Sequence, residues 1–219
     1  MSSMIAVVSL LLIVGCCADC GSLVVNNFTT ETLTKNALGE LSGEDGTAQA
    51  VSIQSEYGLV IQTDGARQMA WYTDVNVSCT NVTEQHVDTL QVTWSASSLT
   101  NVIINALWAP DDATCISRTW QRASLTDSGG LGSNFKTSVL SLTPAQMQRF
   151  HAIEVVVAQG QPATSLVISK VALVESPASC SARNAGKGGA AGRNAATMST
   201  VSSVGIFVVT VAIAVIFTN

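Results

Sequence analysis

The stretch Thr89-Leu-Gln-Val-Thr-Trp-Ser-Ala96 is the strongest indication of the fold class, because apolar and polar residues alternate along it without a break. A strict period of two places Leu90, Val92 and Trp94 on one face of a β-strand and the polar residues on the other. Shorter runs rich in Val, Ile and Thr recur at 51–53, 57–63, 68–73, 102–108, 138–142, 152–158 and 165–174. Turn residues such as Asp64-Gly65 separate these runs.

The pattern of these runs predicts an all-β fold. About eight short strands without a long helical period are typical of an antiparallel β-sandwich. We expect one short helix, at residues 143–149, where Thr143 can cap the first turn and Pro144 fits its first position. With the two hydrophobic ends removed, about 160 residues remain, which is enough for a single core.

The amino-terminal end has the pattern of a secretory signal peptide. Residues 4–14 are almost wholly apolar, and small residues follow at Cys16 and Ala18. We expect cleavage after residue 18, so that Asp19 begins the mature chain. This cut leaves an even set of cysteines, whereas cleavage after Cys20 would leave an odd thiol in an oxidising compartment.

The carboxyl-terminal end has the order of a GPI-attachment signal. Residues 204–219 form a short, uncharged hydrophobic tail behind a polar spacer, residues 197–203. Small residues at 194–196 precede the spacer, so we expect the lipid on Asn194 and the tail removed. Residues 188–191 are an alternative attachment window, and a retained single-pass anchor is an alternative to GPI.

Between the two signals we expect a β-sandwich domain at 19–180 and a flexible Gly/Ala-rich linker at 181–203. The four remaining cysteines allow three pairings. We expect Cys20 to pair with Cys180, because domain ends tend to lie close together, and Cys79 to pair with Cys115 across the two central strands.

The glycosylation sequons and the net charge indicate where the protein acts and which partners it does not bind. Asn27, Asn76 and Asn81 each begin an N-glycosylation sequon, which is consistent with the secretory route. The chain has 15 acidic and 10 basic residues, and this acidic balance argues against nucleic acid as a partner. We therefore expect a glycoprotein on the outer face of the plasma membrane or in the cell wall.

Motifs for catalysis are missing from the sequence. His86 and His151 stand alone, without zinc-type spacing or a Gly-x-Ser-x-Gly elbow, so we expect structural or surface roles for both. A glycosidase needs only two carboxylates, which the sequence does not exclude. Glu154, in an apolar run, is one candidate, although an outward-facing strand position is the commoner explanation for a carboxylate there.

Aromatic residues are scarce, so their positions suggest where a ligand stacks. Trp94 belongs to the core by its strand face. The remaining candidates for a binding site are the neighbours Trp71 and Tyr72, of which one must point inward, and Trp108, Trp120, Asp111 and Asp112. Trp120, flanked by arginines, is the best candidate for an exposed platform. The Asp111-Asp112 pair is also a weak candidate for a structural calcium ion.

Several of these segments together resemble a known family. Residues 36–47, 70–73 and 90–94, with Cys79 and Cys115, are similar to the galactose-binding-like jelly-roll domains of fungal secreted and wall proteins. Those domains are in turn similar to carbohydrate-binding modules. The resemblance implies a jelly roll that binds a wall polysaccharide such as β-glucan or chitin without catalysis. A glycoside-active enzyme and a structural or adhesion protein without a sugar site remain alternatives.

Overall fold

Two antiparallel sheets form the fold in a computed structural model that describes residues 20–29, 31–75, 82–110 and 120–189. The strands are β1 (Ser22–Asn26), β2 (Ser42–Glu44), β3 (Ala50–Gln54), β4 (Gly58–Thr63), β5 (Met69–Asp74), β6 (Thr89–Ala96), β7 (Asn101–Trp108), β8 (Gln121–Ser128), β9 (Lys136–Ser141), β10 (Phe150–Val157) and β11 (Thr164–Val174). The helices are α1 (Pro144–Gln148) and α2 (Pro177–Gly189). A 3-10 turn covers Val82–Gln85.

The strands belong to two separate antiparallel sheets. The first sheet has the order β3-β4-β11-β6-β9, and the second has the order β2-β5-β10-β7-β8. Because β11 is 11 residues long, β4 pairs with its first half and β1 with its second half along the same edge. The described residues therefore confirm the predicted antiparallel, all-β sandwich.

The alternation that predicted β6 also describes the core. Leu90, Val92 and Trp94 are fully buried, and residues of both sheets join them in one hydrophobic cluster. The Trp94 indole N–H donates to Ser138 Oγ on β9 (2.8 Å), and Ser138 Oγ donates to Asp127 Oδ2 on β8 (2.6 Å). This chain of hydrogen bonds joins the first sheet to the second, so Trp94 supports both.

Strands β1, β2 and β8 are the strands that the sequence pattern did not predict. β1 has consecutive apolar residues instead of an alternation, and β2 is only three residues long. β8 is an edge strand that pairs with β7, and most of its residues are polar. Only Ala123 and Leu125 supply an apolar inner face, which is too weak a signal to separate a strand from a loop.

The predicted short helix is present as α1. Thr143 Oγ1 accepts the Gln146 backbone N–H (3.4 Å), and Gln146 Oε1 accepts the Thr143 N–H (2.7 Å). These reciprocal bonds form a capping box, and Pro144 occupies the first turn. The prediction from Thr143 and Pro144 is therefore confirmed.

The ends of the domain are fastened together by the predicted Cys20–Cys180 disulfide, with the two Cα atoms 5.4 Å apart. The predicted Cys79–Cys115 bridge and the sequons at Asn76 and Asn81 lie outside the described residues and stay predictions. Asn27 is described and exposed.

Helix α2 extends past residue 180, where we expected the domain to end. The helix runs to Gly189, whereas we expected a flexible linker to begin at residue 181. Its early residues are held by the disulfide at Cys180 and by Arg183, which bonds Glu175, so the helix is anchored to the sandwich. In the described part of the chain, no helix is long and apolar enough to cross a membrane.

The Glu175 carboxylate links the two ends of the domain a second time, beside the disulfide. Its Oε1 accepts from Arg183 Nε (2.9 Å), and its Oε2 accepts from Arg183 Nη2 (2.7 Å) and the Gly21 backbone N–H (2.8 Å). The Arg183 hydrogen bonds, followed by the Gly21 N–H, lower the pKa of this carboxyl from 4.5 to about 2. The ionised carboxylate therefore binds the first and last elements of the domain together.

Replacing Trp94 with Ala is expected to lower the free energy of unfolding by about 3 to 5 kcal/mol, because it leaves a large cavity in the core. Urea unfolding monitored by circular dichroism measures this change. Leu99→Ala, at a side chain that is 70% exposed, is the control and should change stability by no more than about 0.5 kcal/mol. Equal effects of the two changes would contradict the assignment of Trp94 to the core.

The Glu175 contacts predict a pH dependence of stability. Because the folded pKa lies below the unfolded one, the stabilisation is complete above the unfolded value of 4.5 and is lost as pH falls toward about 2. Unfolding midpoints measured over this pH range should fall less steeply in Glu175→Gln than in the unmodified protein. Parallel pH profiles would show that the carboxylate does not fasten the ends.

Candidate functional site

The outer face of the second sheet, which points away from the core, is the candidate site. Along β5, Trp71 and Thr73 point inward, so Tyr72 and Asp74 point outward. The same alternation on β10 buries Ile153 in the core and turns Glu154 outward. This surface, which we call the outer face, combines an aromatic ring with carboxylate side chains.

A single cross-strand row runs across the middle of the outer face. The strand register places Gly43 opposite Tyr72, Tyr72 opposite Glu154, Glu154 opposite Asn105 and Asn105 opposite Ser124. Residues opposite each other in antiparallel strands lie within side-chain contact. The row, which we call the central row, therefore brings five strands together at one level of the sheet.

Hydrogen bonds fix the polar half of the central row. Asn105 Nδ2 donates to Glu154 Oε2 (2.7 Å), and Ser124 Oγ donates to Asn105 Oδ1 (2.6 Å). Asn105 is only 3% exposed, so its amide is held firmly in place. Among the described residues, Oε1 of Glu154 has no hydrogen-bond partner, which leaves a fixed acceptor on this face.

A depression of about 440 Å³ opens above this part of the row, and we call it the polar groove. Its lining supplies two amides, two hydroxyls, a guanidinium and a carboxylate, together with two aliphatic side chains. The lining residues are Gln68, Ile103, Asn105, Arg122, Ser124, Thr126, Glu154 and Val156. Such a mixture of donors, acceptors and apolar patches can bind a polyhydroxylated ligand.

Tyr72 lies over the edge of the sheet because the residue beside it is glycine. A Cβ atom placed on Gly43 would lie 3.2 Å from Tyr72 Oη and 3.5 Å from Cζ. The phenol ring therefore lies above the backbone of β2, and Tyr72 is 39% exposed. The exposed ring provides an apolar surface at one end of the central row.

A second cavity, of about 320 Å³, lies beside Tyr72 at the edge of the sandwich, and we call it the edge cavity. It is bordered by β2 of the second sheet and by Val51 on β3 of the first. Its lining consists of Leu33, Thr34, Ser42, Gly43, Glu44, Val51, Trp71 and Tyr72. Tyr72 therefore separates the edge cavity from Glu154 and the polar groove.

Trp120 stacks on His151 at the other end of the outer face. The two ring centroids are 3.9 Å apart, and the planes differ by 6°. His151 Nε2 lies 3.8 Å from Asp74 Oδ1. Burial raises the pKa of the Asp74 carboxyl; electrostatic interaction with the neighbouring His151 opposes this effect, and Glu40 adds to it. The half-buried Trp120 ring is thus held at the site by its neighbours.

The structure separates the aromatic residues that the sequence grouped together. Trp71 is 1% exposed and packs against Phe28, with ring centroids 6.0 Å apart, so its ring belongs to the core. Trp71 also borders the edge cavity. Its neighbour Tyr72 is the exposed member of the pair, because adjacent strand residues face opposite sides.

Of the other candidate site residues, the structure describes Trp108 but not the Asp111-Asp112 pair. Trp108 is half-buried at the end of β7, and its indole N–H donates to Gln121 Oε1 (2.9 Å). Asp111 and Asp112, with the predicted calcium ion, lie outside the described residues. In the described part of the chain, the only group of side chains with the composition of a metal site is Cys20, Glu175 and Cys180. The two cysteine sulfurs of this group form the disulfide.

Sequence patterns missed Asn105, Ser124 and Arg122 as site residues. Asn105 interrupts the apolar run 102–108, and a polar residue at such a position is the signal that could have identified it. Ser124 and Arg122 belong to β8, which the pattern did not predict as a strand. Their places on the outer face follow from the pairing of β8 with β7.

Comparisons with known proteins show similarity at the level of the fold. No family model matches the chain, and no curated protein matches its sequence. A family 11 carbohydrate-binding module from Clostridium thermocellum, solved with a β-1,3-1,4-mixed-linked tetrasaccharide, is similar to it with a TM-score of 0.50 and 9% identity. The match covers 72% of this chain and 97% of the module.

Two further solved structures are similar to the chain. The family 11 module of the cellulosomal cellulase Lic26A-Cel5E of Clostridium thermocellum has a TM-score of 0.51 at 9% identity, covering 73% of this chain and 97% of the module. The agarase AgWH50C has a TM-score of 0.52 at 12% identity, covering 72% of this chain but 25% of the agarase. The chain therefore has the β-sandwich fold that carbohydrate-binding modules also have.

Proposed function

We propose that the protein binds a glycan chain on the outer face of the second sheet and does not cleave it. The observation that carries the proposal is the central row, in which the exposed ring of Tyr72 lies beside the fixed polar groups of Glu154, Asn105 and Ser124. Sugars present the same combination, an apolar ring face bordered by hydroxyl groups.

The two halves of the central row would contact different parts of a sugar. Tyr72 offers apolar area on which a pyranose ring can stack. Glu154 Oε1 accepts a hydrogen bond from a sugar hydroxyl, and the Asn105 amide already orients the carboxylate. Because these groups are fixed before binding, little side-chain freedom is lost when the glycan docks.

The fold supports a polysaccharide as the ligand. The similar module from Clostridium thermocellum was solved with a mixed-linked β-glucan tetrasaccharide. On that basis we propose a β-linked chain, either a wall β-glucan or chitin. The polar groove contains both Glu154 and Arg122, so no single strong charge selects an acidic or a basic polymer.

A binding role fits the carboxylates of the outer face better than catalysis. The two outward carboxylates on β5 and β10 are Asp74 and Glu154, and each already has a partner. Asp74 lies against His151, and Glu154 Oε2 accepts from Asn105. Glycoside hydrolysis needs one carboxyl to protonate the leaving oxygen while another attacks or activates water, and both must face the bond. We propose that these two carboxylates orient a ligand instead.

We further propose that the protein is displayed outside the cell. The signal peptide at 1–18, the GPI lipid on Asn194 and glycans on its sequons would place a glycoprotein on the outer face of the plasma membrane or in the wall. The Cys20–Cys180 disulfide supports export, because such bonds persist in oxidising compartments. The exposure of Asn27 supports glycosylation at that sequon.

Tyr72→Ala is expected to weaken binding of a mixed-linked β-glucan or chitin oligosaccharide by about 1 to 3 kcal/mol, because one stacked ring is lost. Isothermal titration calorimetry on the purified protein measures the affinity. The matched control is Tyr57→Ala, because Tyr57 is 53% exposed but lies in the turn between β3 and β4 of the first sheet.

Trp120→Ala should also weaken binding, since Trp120 is held at the end of the outer face by its stack on His151. If Tyr57→Ala weakens binding as much as Tyr72→Ala does, the ligand does not use the second sheet. If the unmodified protein binds no wall polysaccharide at millimolar concentration, the structural or adhesion role replaces the proposed one.

Phosphatidylinositol-specific phospholipase is expected to release the protein from the surface of expressing cells, because the lipid on Asn194 would be its only attachment. Mass spectrometry of the released chain should find no peptide from residues 204–219. A mature chain that retains this hydrophobic tail would instead support a single-pass anchor.

A further inference from the structure

We infer that the edge cavity accepts the acetamido group of an N-acetylhexosamine, so that N-acetylated chains are the preferred glycan class. The inference rests on the proposed function, because it assumes a sugar ring stacked on Tyr72. Its own observation is the edge cavity, which has a different composition from the polar groove. At about 320 Å³ the cavity lies within the usual range for small-molecule sites, about 300 to 1,000 Å³.

The edge cavity combines apolar and polar lining residues. Leu33, Val51 and the buried Trp71 supply apolar surface, and Thr34, Ser42 and Glu44 supply polar groups. A methyl group that packs against the three apolar residues gains from leaving water, so this part of the cavity favours the methyl end of an acetamido group.

One oriented carboxylate borders the same cavity. Glu44 Oε2 accepts the backbone N–H groups of Gly46 (2.7 Å) and Ala48 (3.3 Å), which fix the direction of the side chain. Its other oxygen, Oε1, has no hydrogen-bond partner among the described residues. An acetamido N–H is a donor that can reach such an acceptor, and a hydrogen bond to a charged oxygen is stronger than one between neutral groups.

Gly43 lets the Tyr72 ring extend across β2 toward the edge of the sheet, because a Cβ atom there would lie within 3.2 Å of the phenol oxygen. Gly43 and Tyr72 face outward, whereas Glu44 lies opposite Trp71 and faces the other side of β2, and both Tyr72 and Glu44 line the edge cavity. A pyranose stacked on the ring would therefore reach Glu44 through a substituent that extends around the edge of β2, as an acetamido group does. Gly43 is thus a positioning residue, and Glu44 and Leu33 determine which substituent is accepted.

Chitohexaose and cellohexaose test the inference, because both are β-1,4 chains and differ in the group at C2. Calorimetric titration of the full-length protein should give about tenfold tighter binding of chitohexaose, which is the size of one charge-assisted hydrogen bond. In Glu44→Gln the amide places a donor where the second oxygen was. The chitohexaose affinity should therefore fall to that of cellohexaose, while the cellohexaose affinity stays unchanged.

Leu33→Asn should reduce the same ratio through the loss of apolar surface. Leu33 is 43% exposed, so this variant is expected to fold normally, and its melting temperature checks this. The matched control is Glu56→Gln, at an exposed carboxylate in the turn between β3 and β4. This control should leave both affinities and their ratio as they are in the unmodified protein.

Three results would overturn the inference while the proposed function stands. These are equal affinities for the two chains, a preference that persists in both Glu44→Gln and Leu33→Asn, and tighter binding of the deacetylated chitosan hexamer. The last result would show that Glu44 pairs with an amine and that the apolar walls do not contribute. If neither hexamer nor any mixed-linked glucan binds, the proposed function fails together with the inference.

Discussion

The alternation of side chains across β5, β7 and β10 is the constraint on which the site depends. The core of the sandwich requires every second residue of these strands, and Trp71, Ile104 and Val155 fill it. The intervening residues must then face outward at the same level of the sheet. The burial of Trp71 therefore places Tyr72 on the outer face, so the packing of the core also sets the geometry of the proposed binding surface.

Long-range contacts keep this surface fixed. The hydrogen bonds from Trp94 through Ser138 to Asp127 join the two sheets at β8 and β9, and Lys136 also forms an ion pair with Asp127. At the end of the domain, the Cys20–Cys180 disulfide and the ionised Glu175 bind α2 and the first strand together. A sheet held in this way can present Glu154 and Asn105 in one arrangement, which lowers the entropic cost of binding.

The sequence predicted the elements of the fold better than it predicted the site. The alternation in 89–96 identified β6 and the core position of Trp94, and Thr143 with Pro144 identified α1. The site depends on strand order, which a local period does not reveal. Glu154, Asn105 and Ser124 meet only because β10 lies between β5 and β7 and because β8 pairs with β7. The α2 helix was missed because its small residues show no apolar period.

Chemical-shift mapping on the isotopically labelled protein, titrated with a chitin or mixed-linked β-glucan oligosaccharide, tests whether the outer face is the binding surface. Binding there should cause saturable changes at the backbone amides of Tyr72, Asn105, Ser124 and Glu154. It should cause no change at Gln91 and Thr93, which face outward on β6 of the first sheet. Changes confined to the first sheet, or none with any glycan at millimolar concentration, would contradict the assignment of the outer face as the binding surface.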